Sequence, residues 1–302
     1  MTLTLLIGGI ILFIYSIDTM SNNLISLSLN KVKQKLLNIT SSTPKSLLVG
    51  FLSTAIIQSS SAIIMLTITL INAKILTFNN SIGIMLGSNI ATTITSFIIG
   101  LNLEILSSYI MLLGLILTFT KNKFGRIIFN VGLLFFSLFL ISLAIDNFKD
   151  SQVFYNAIQS ISSSFLLSIL VGTLITLVFQ SSSVFIALLQ ILSLSGFLSV
   201  YQAIPFIFGA NIGTTFDSFY GILNSEKDSK KLAHFNLFFN ISTVLVFSIF
   251  ITPFKNFLNI ITLSFNFNNA INIAITNILF NVLGVILVLP FIPKIKRYYA
   301  KW

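Results

Sequence analysis

The tetrapeptide Gln-Ser-Ser-Ser occurs twice in this chain, as Gln58–Ser61 and Gln180–Ser183, each time inside an apolar stretch. Serine competes for backbone hydrogen bonds in a helix interior and favours caps and turns. A bend at such a run leaves a half-helix whose first N–H groups are free. Those groups, with three hydroxyls beside them, suit an anion. They can hold it without a buried lysine or arginine, and no basic residue lies near either run in sequence.

Twenty-nine residues after each glutamine comes a second polar island, Gly87-Ser88-Asn89-Ile90-Ala91-Thr92-Thr93 and then Gly209-Ala210-Asn211-Ile212-Gly213-Thr214-Thr215. The glycines permit unwound backbone. The oxygens of Asn89, Thr92, Thr93, Asn211, Thr214 and Thr215 suit a hard alkali cation, which broken transporter helices coordinate in this way. Asp217 stands where the first half has Thr95. An acid inside an apolar segment is a functional-site candidate by default, and Asp217 could add negative charge to a cation site or take up a proton. A single Ser-Ser pair is more simply read as close packing between membrane helices. Two island types repeated at one spacing favour a site.

Enzyme templates fail. There is no Gly-x-Ser-x-Gly, no His-Glu-x-x-His and no Walker-type loop, and the acids are too few for a carboxylate metal centre. No catalytic residue, transition metal or organic cofactor is expected. His234, the only histidine, reads as a packing residue at a membrane interface. Asn130, Asn240 and Asn281 read as interhelical hydrogen-bonding residues.

The elements that position these residues follow from composition. The chain has 302 residues, 55% of them hydrophobic and 8% charged, against about 25% charged in an ordinary soluble domain. Its mean hydropathy is +1.00. Apolar runs approach the ~20 residues a helix needs to cross a bilayer, and the alternation of a membrane β-barrel is absent. The expected class is an all-α polytopic membrane protein. The net charge of +10 reads as loop lysines that set orientation, not as a nucleic-acid footprint. Thr2 to Tyr15 reads as a retained span, not a signal peptide. With no cysteine, disulfides are excluded.

The segments run approximately over 2–20, 46–73, 75–100, 104–120, 127–145, 160–195, 201–223, 234–252 and 270–292. Between Leu47 and Phe97, 21 of 51 positions are identical at an offset of 122, so the chain is internally duplicated. The basic loops are 31–45 (Lys31, Lys33, Lys35, Lys45), 121–126, 225–231 and the tail; 101–104, 146–157 and 253–269 are poor in basic residues. The positive-inside rule then places equivalent loops on opposite sides, which makes the repeat inverted, an architecture that supports alternating access about a midplane site. Parity requires an odd number of crossings over 46–100. We therefore expect 46–73 and 160–195 to be re-entrant hairpins with Gln-Ser-Ser-Ser at the bend, each followed by a broken helix, within seven spans and with the N-terminus outside. The expected blocks are a first repeat over 1–126, a second over 127–260, and a further span with a basic tail over 261–302.

The two Gln-Ser-Ser-Ser runs and Gly209–Thr215 resemble the hallmark motifs of the type II sodium/phosphate cotransporter family. His234-Phe-Asn-Leu-Phe-Phe-Asn240 and Leu279-Phe-Asn281 are similar to its His/Phe-Asn elements. The resemblance covers roughly residues 8 to 290. It implies Na+-coupled import of inorganic phosphate across the inner (plasma) membrane, with the two hairpins facing each other across the substrate. Carried over by position, Gln58, Ser59, Ser60, Ser61, Gln180, Ser181, Ser182 and Ser183 would bind phosphate. Gln58, Ser61, Gln180 and Ser183 would join Asn89, Thr92, Thr93, Asn211, Thr214, Thr215 and Asp217 around Na+, the coupling ion. The alternatives are another oxyanion, Na+-independent phosphate export, or a non-transporting scaffold or sensor. The first companion motif departs from the pattern at Ser88 and Ala91.

Overall fold

A computed structural model describes residues 2–37, 42–220, 222 and 225–302, and among them every regular element is helical. In chain order these are α1 (Thr2–Leu37), α2 (Thr43–Ile57), α3 (Ser60–Asn72), α4 (Phe78–Gly100), α5 (Ser107–Phe119), α6 (Gly125–Asp146), α7 (Gln152–Ser162), α8 (Phe165–Phe179), α9 (Ser182–Leu194), α10 (Val200–Gly213), α11 (Phe216–Tyr220), α12 (Lys227–Ile249), α13 (Ile251–Phe265), α14 (Asn269–Val288) and α15 (Ile292–Ala300). The all-α polytopic class is therefore correct.

Among the described residues, five helices are long and apolar enough to cross a membrane, or six if α7 and α8 count as one span bent by 105°. Two of the seven expected spans are short, because α5 has 13 residues and α10 has 14, ending at Gly213. The arms of each Gln-Ser-Ser-Ser segment, α2 and α3, α8 and α9, have 15, 13, 15 and 13 residues. At 1.5 Å per residue none of these arms reaches across a hydrocarbon core of about 30 Å.

Three expected loops are largely helix. With no glycine or proline between residues 10 and 43, nothing stops α1, and Lys31 and Lys33 lie on it. Residues 38–41 of that loop lie outside the described residues. The segment 146–157 contains the start of α7, N-capped by Ser151, whose hydroxyl accepts from Phe154 N–H at 3.3 Å. Most of 253–269 is α13, which buries Phe254 and Leu258, one turn apart.

The chain forms two compact units, each drawn from three segments. Unit 1 comprises residues 1–27, 95–213 and 260–275; unit 2 comprises 28–94, 214–259 and 276–302.

In unit 2, glycines seat α2 on α4. A Cβ at Gly50 would lie 2.2 Å from the Ile84 carbonyl oxygen, and one at Gly87 would lie 2.0 Å from that of Leu47. In unit 1, α8 meets α10 through the same pair at an offset of 122: Gly172 against the Phe206 oxygen at 2.4 Å and Gly209 against that of Ile169 at 2.1 Å. This corrects the sequence reading of Gly87 and Gly209. They sit inside helices and allow backbone contact between them, as small residues do in membranes.

Further bonds fix what the glycines place. In unit 1 the buried Gln190 amide on α9 donates to the carbonyls of Ser96 on α4 and Ala270 on α14, both at 2.9 Å. In unit 2, Asn72 at the end of α3 accepts from Ser229 Oγ (2.8 Å) and Glu226 N–H (3.1 Å), tying that helix to the start of α12.

These contacts set a test. Gly87→Leu and Gly209→Leu drive a side chain into backbone, a cost at or above the roughly 1–3 kcal/mol of ordinary overpacking. Gly8 has nothing within 4 Å of its Cβ direction. Size-exclusion of detergent-solubilised protein should show loss of the monodisperse peak for both leucine variants and its retention in Gly8→Leu.

Candidate functional site

In unit 2, α2 stops at Ile57 because Gln58 turns left-handed (φ 59°, ψ 26°). Its N–H bonds the Thr54 carbonyl at 2.7 Å and its side-chain amide donates to the Ala55 carbonyl at 2.6 Å. A left-handed non-glycine residue costs on the order of 1–3 kcal/mol and clusters at functional sites. Ser59 is extended (φ −145°, ψ 109°) and caps α3, its hydroxyl accepting from Ala62 N–H at 3.2 Å. Ser60 and Ser61 form the first turn of α3.

The second copy has the same backbone. Gln180 is left-handed (φ 51°, ψ 27°) and Ser181 extended (φ −154°, ψ 112°). Ser182 and Ser183 begin α9 and are buried. The Ser181 side chain makes no capping bond. Each Gln-Ser-Ser-Ser is thus a helix break followed by a serine-bearing helix start, the local geometry its composition called for.

Of the other expected residues, unit 2 holds Asn89, Thr92, Thr93, Thr214, Thr215 and Asp217, and unit 1 holds Asn211. One pair is joined directly: Ser61 Oγ donates to Asp217 Oδ2 at 2.5 Å, the short length of a charge-assisted O–H···O bond. It links the first serine run to the acid of the second half, 156 residues away. Among the described residues the ion pairs are Lys149–Asp146 and Lys231–Asp228, so no lysine, arginine or histidine there neutralises Asp217. A carboxylate so placed can recruit a small cation or a proton.

The companion islands differ. The second is broken, since α10 ends at Gly213 and α11 begins at Phe216. The broken helix expected in the first half is absent: α4 runs from Phe78 to Gly100 without interruption. Ala91, a strong helix former, replaces Gly213 there. Thr92 and Thr93 donate to the Ser88 and Ile90 carbonyls of α4 at 2.9 and 2.7 Å. Asn211 donates to the Ile207 carbonyl at 2.8 Å.

Asn89 donates to Asn236 Oδ1 on α12 at 3.4 Å, and Asn236 in turn donates to Ser218 Oγ at 3.5 Å. Asn236 is thus the interhelical residue. Asn240 bonds its own helix instead, through the Asn236 carbonyl at 2.9 Å. The i, i+4 spacing of the two asparagines is the signal that could have singled out Asn236. His234 packs edge-on against Trp302 at 4.8 Å, in keeping with a packing residue.

A second asymmetry is energetic. Thr54 and Ser88 share a buried hydrogen bond of 2.7 Å. Their counterparts are Thr176 and Ala210, and the Thr176 hydroxyl is buried with no partner. Thr54→Val should cost about 1–3 kcal/mol by orphaning Ser88, whereas Thr176→Val should be neutral or stabilising. Thermal unfolding of the two variants in one detergent checks the difference.

The fold defines a multi-pass helical membrane protein, and the two Gln-Ser-Ser-Ser runs are like helix breaks within it. Its family follows from comparison: the profile of the Na+/Pi-cotransporter family matches residues 12–143 and again 147–276. The chain belongs to that family, a family of transporters. It is 26% identical over 286 residues to "Uncharacterized protein YqeW" of Bacillus subtilis, covering 93% of this chain and 92% of that one. It is 23% identical over 260 residues to "Putative inorganic phosphate export protein YjbB" of Escherichia coli, covering 84% of this chain but 47% of YjbB. A segment of 108 residues is 39% identical to sodium-dependent phosphate transport protein 2B of Homo sapiens, covering 34% of this chain and 15% of that protein. No solved structure matches.

Proposed function

We propose that this protein carries inorganic phosphate across the plasma membrane by alternating access, coupled to Na+ and directed inward. The observation that carries the reading is the pair of serine-bearing helix starts at α3 and α9, each following a left-handed glutamine. A helix start favours an anion through its N–H groups and dipole. Uncharged donors suit a carried substrate, because they leave no fixed counter-charge behind when it departs. In this reading Gln58–Ser61 and Gln180–Ser183 bind phosphate. The oxygens of Asn89, Thr92, Thr93, Asn211, Thr214 and Thr215 serve Na+ together with Gln58, Ser61, Gln180 and Ser183, and Asp217 supplies the negative charge of one cation site.

Coupling decides direction. Two Na+ ions neutralise a divalent phosphate, and a third would let the membrane potential drive import with about 2.3 kcal/mol per 100 mV. A carrier without Na+ would follow the phosphate gradient instead. Export is the second reading, favoured by the name of YjbB, which aligns over 84% of this chain.

Radiolabelled phosphate uptake into proteoliposomes tests both. An inward Na+ gradient should raise uptake at least tenfold over an equal K+ gradient, and uptake indifferent to Na+ would remove the coupling. Ser60→Ala with Ser182→Ala should abolish uptake with folded protein retained. Asp217→Asn should weaken the Na+ dependence more than the phosphate dependence.

A further inference from the structure

Unit 2 carries a groove lined by none of the residues proposed above for phosphate or Na+. Its floor is the close approach of α12 and α14, where a Cβ at Gly284 would lie 2.7 Å from Thr243 Cγ2. The Thr243 hydroxyl donates to the Phe239 carbonyl at 2.8 Å, so its proton is not offered to the groove. Around this contact lies a cavity of about 1030 Å³, at the top of the roughly 300–1,000 Å³ range of small-molecule sites. Its walls include Phe238, Leu245 and Val246 of α12, with Leu287 and Phe291 opposite. Phe238, Leu245 and Leu287 are 54%, 58% and 50% exposed.

One end differs in chemistry. There α15 presents Lys294 and Tyr298, Trp302 follows two residues after its end, and α12 presents His234. The helices run antiparallel along the groove: His234 meets Trp302, Thr243 meets Gly284 and Phe247 meets Phe280. Depth in the bilayer follows from length. The 20 residues of α14 span about 30 Å, the thickness of the hydrocarbon core. Lys294, six residues past Val288, therefore lies at headgroup level. So does the start of α12, with Lys227, Lys230 and Lys231. Its acid Asp228 is already engaged by Lys231 at 3.0 Å and by Phe78 N–H at 3.2 Å. Apolar walls at depth, an aromatic and histidine rim and a net positive mouth are the order of groups in an anionic amphiphile.

We propose that this groove holds one anionic phospholipid of the surrounding bilayer. Its acyl chains lie against Phe238, Leu245, Val246 and Leu287, and its phosphate sits beside Lys294. Trp302 is the only tryptophan of the sequence and lines the mouth, so it reports occupancy directly. The full-length protein is reconstituted in phosphatidylcholine vesicles and titrated with phosphatidylglycerol brominated on the upper acyl chain. Brominated phosphatidylcholine serves as the reference quencher of Trp302 fluorescence. Phosphatidylglycerol should quench at several-fold lower mole fraction. Lys294→Gln should reduce that preference about fivefold, the worth of one basic residue near a membrane surface. Arg297→Gln, on the same helix but outside the groove, should leave it unchanged.

Equal quenching by the two lipids, or an equal loss in both variants, would show only general contact with a charged surface and overturn the site. Absence of quenching would mean that protein, such as a second copy of the chain, covers the groove. Displacement by millimolar inorganic phosphate would make the mouth a free-phosphate site. Either result overturns the proposal.

Discussion

Hydrocarbon offers no hydrogen bonds, so a helix interrupted inside an apolar segment must find partners for its freed backbone groups within the protein or a wet cavity. The breaks at Gln58 and Gln180 impose that constraint on everything around them. Each break is held by a helix packed at backbone distance, α2 on α4 through Gly50 and Gly87, α8 on α10 through Gly172 and Gly209. Side chains of ordinary size would separate those helices. The glycines therefore position the serine runs, although none of them offers a side-chain ligand.

The two copies share backbone and packing but not polar detail. Ser88 pairs with Thr54 where Ala210 leaves Thr176 alone. Gly213 ends a helix where Ala91 continues one. Asp217 replaces Thr95 and reaches Ser61. The contacts of Gly50 with Ile84 and of Gly87 with Leu47 recur as those of Gly172 with Phe206 and of Gly209 with Ile169, so this frame is kept in both halves. A frame so maintained lets one half gain a charge and a broken helix without disturbing the other. Equivalent positions in the two halves need not take equivalent ions.

Much of this was legible in the residues. Serine runs at fixed spacing announced helix breaks, because serine's preference for caps is local chemistry that needs no tertiary context. The identities at an offset of 122 announced like packing of α2 on α4 and of α8 on α10. What was not legible depended on context. Charge-poor stretches such as 253–269 read as loops, yet α13 forms there on an apolar spacing too narrow to span. Gly87 read as a place for unwound backbone, since a glycine's flexibility and its smallness leave the same mark in a sequence. Asn236 was not among the asparagines singled out, and only the approach of α12 to α4 separates it from Asn240. Asp217 stood out at once, and Ser61 was grouped with it only through the resemblance; their direct bond across 156 residues was not legible.

The central claim is that uncharged groups at the two helix starts recognise the anion. Arsenate has the shape and charge of phosphate and an anomalous scatterer at its centre. Anomalous density from crystals grown with arsenate and Na+ would locate it directly. The account predicts a peak against the first turn of α3, of α9 or of both, within hydrogen-bonding reach of Ser59–Ser61 or Ser181–Ser183. A peak held by lysine or arginine side chains, with both serine runs empty, would contradict it.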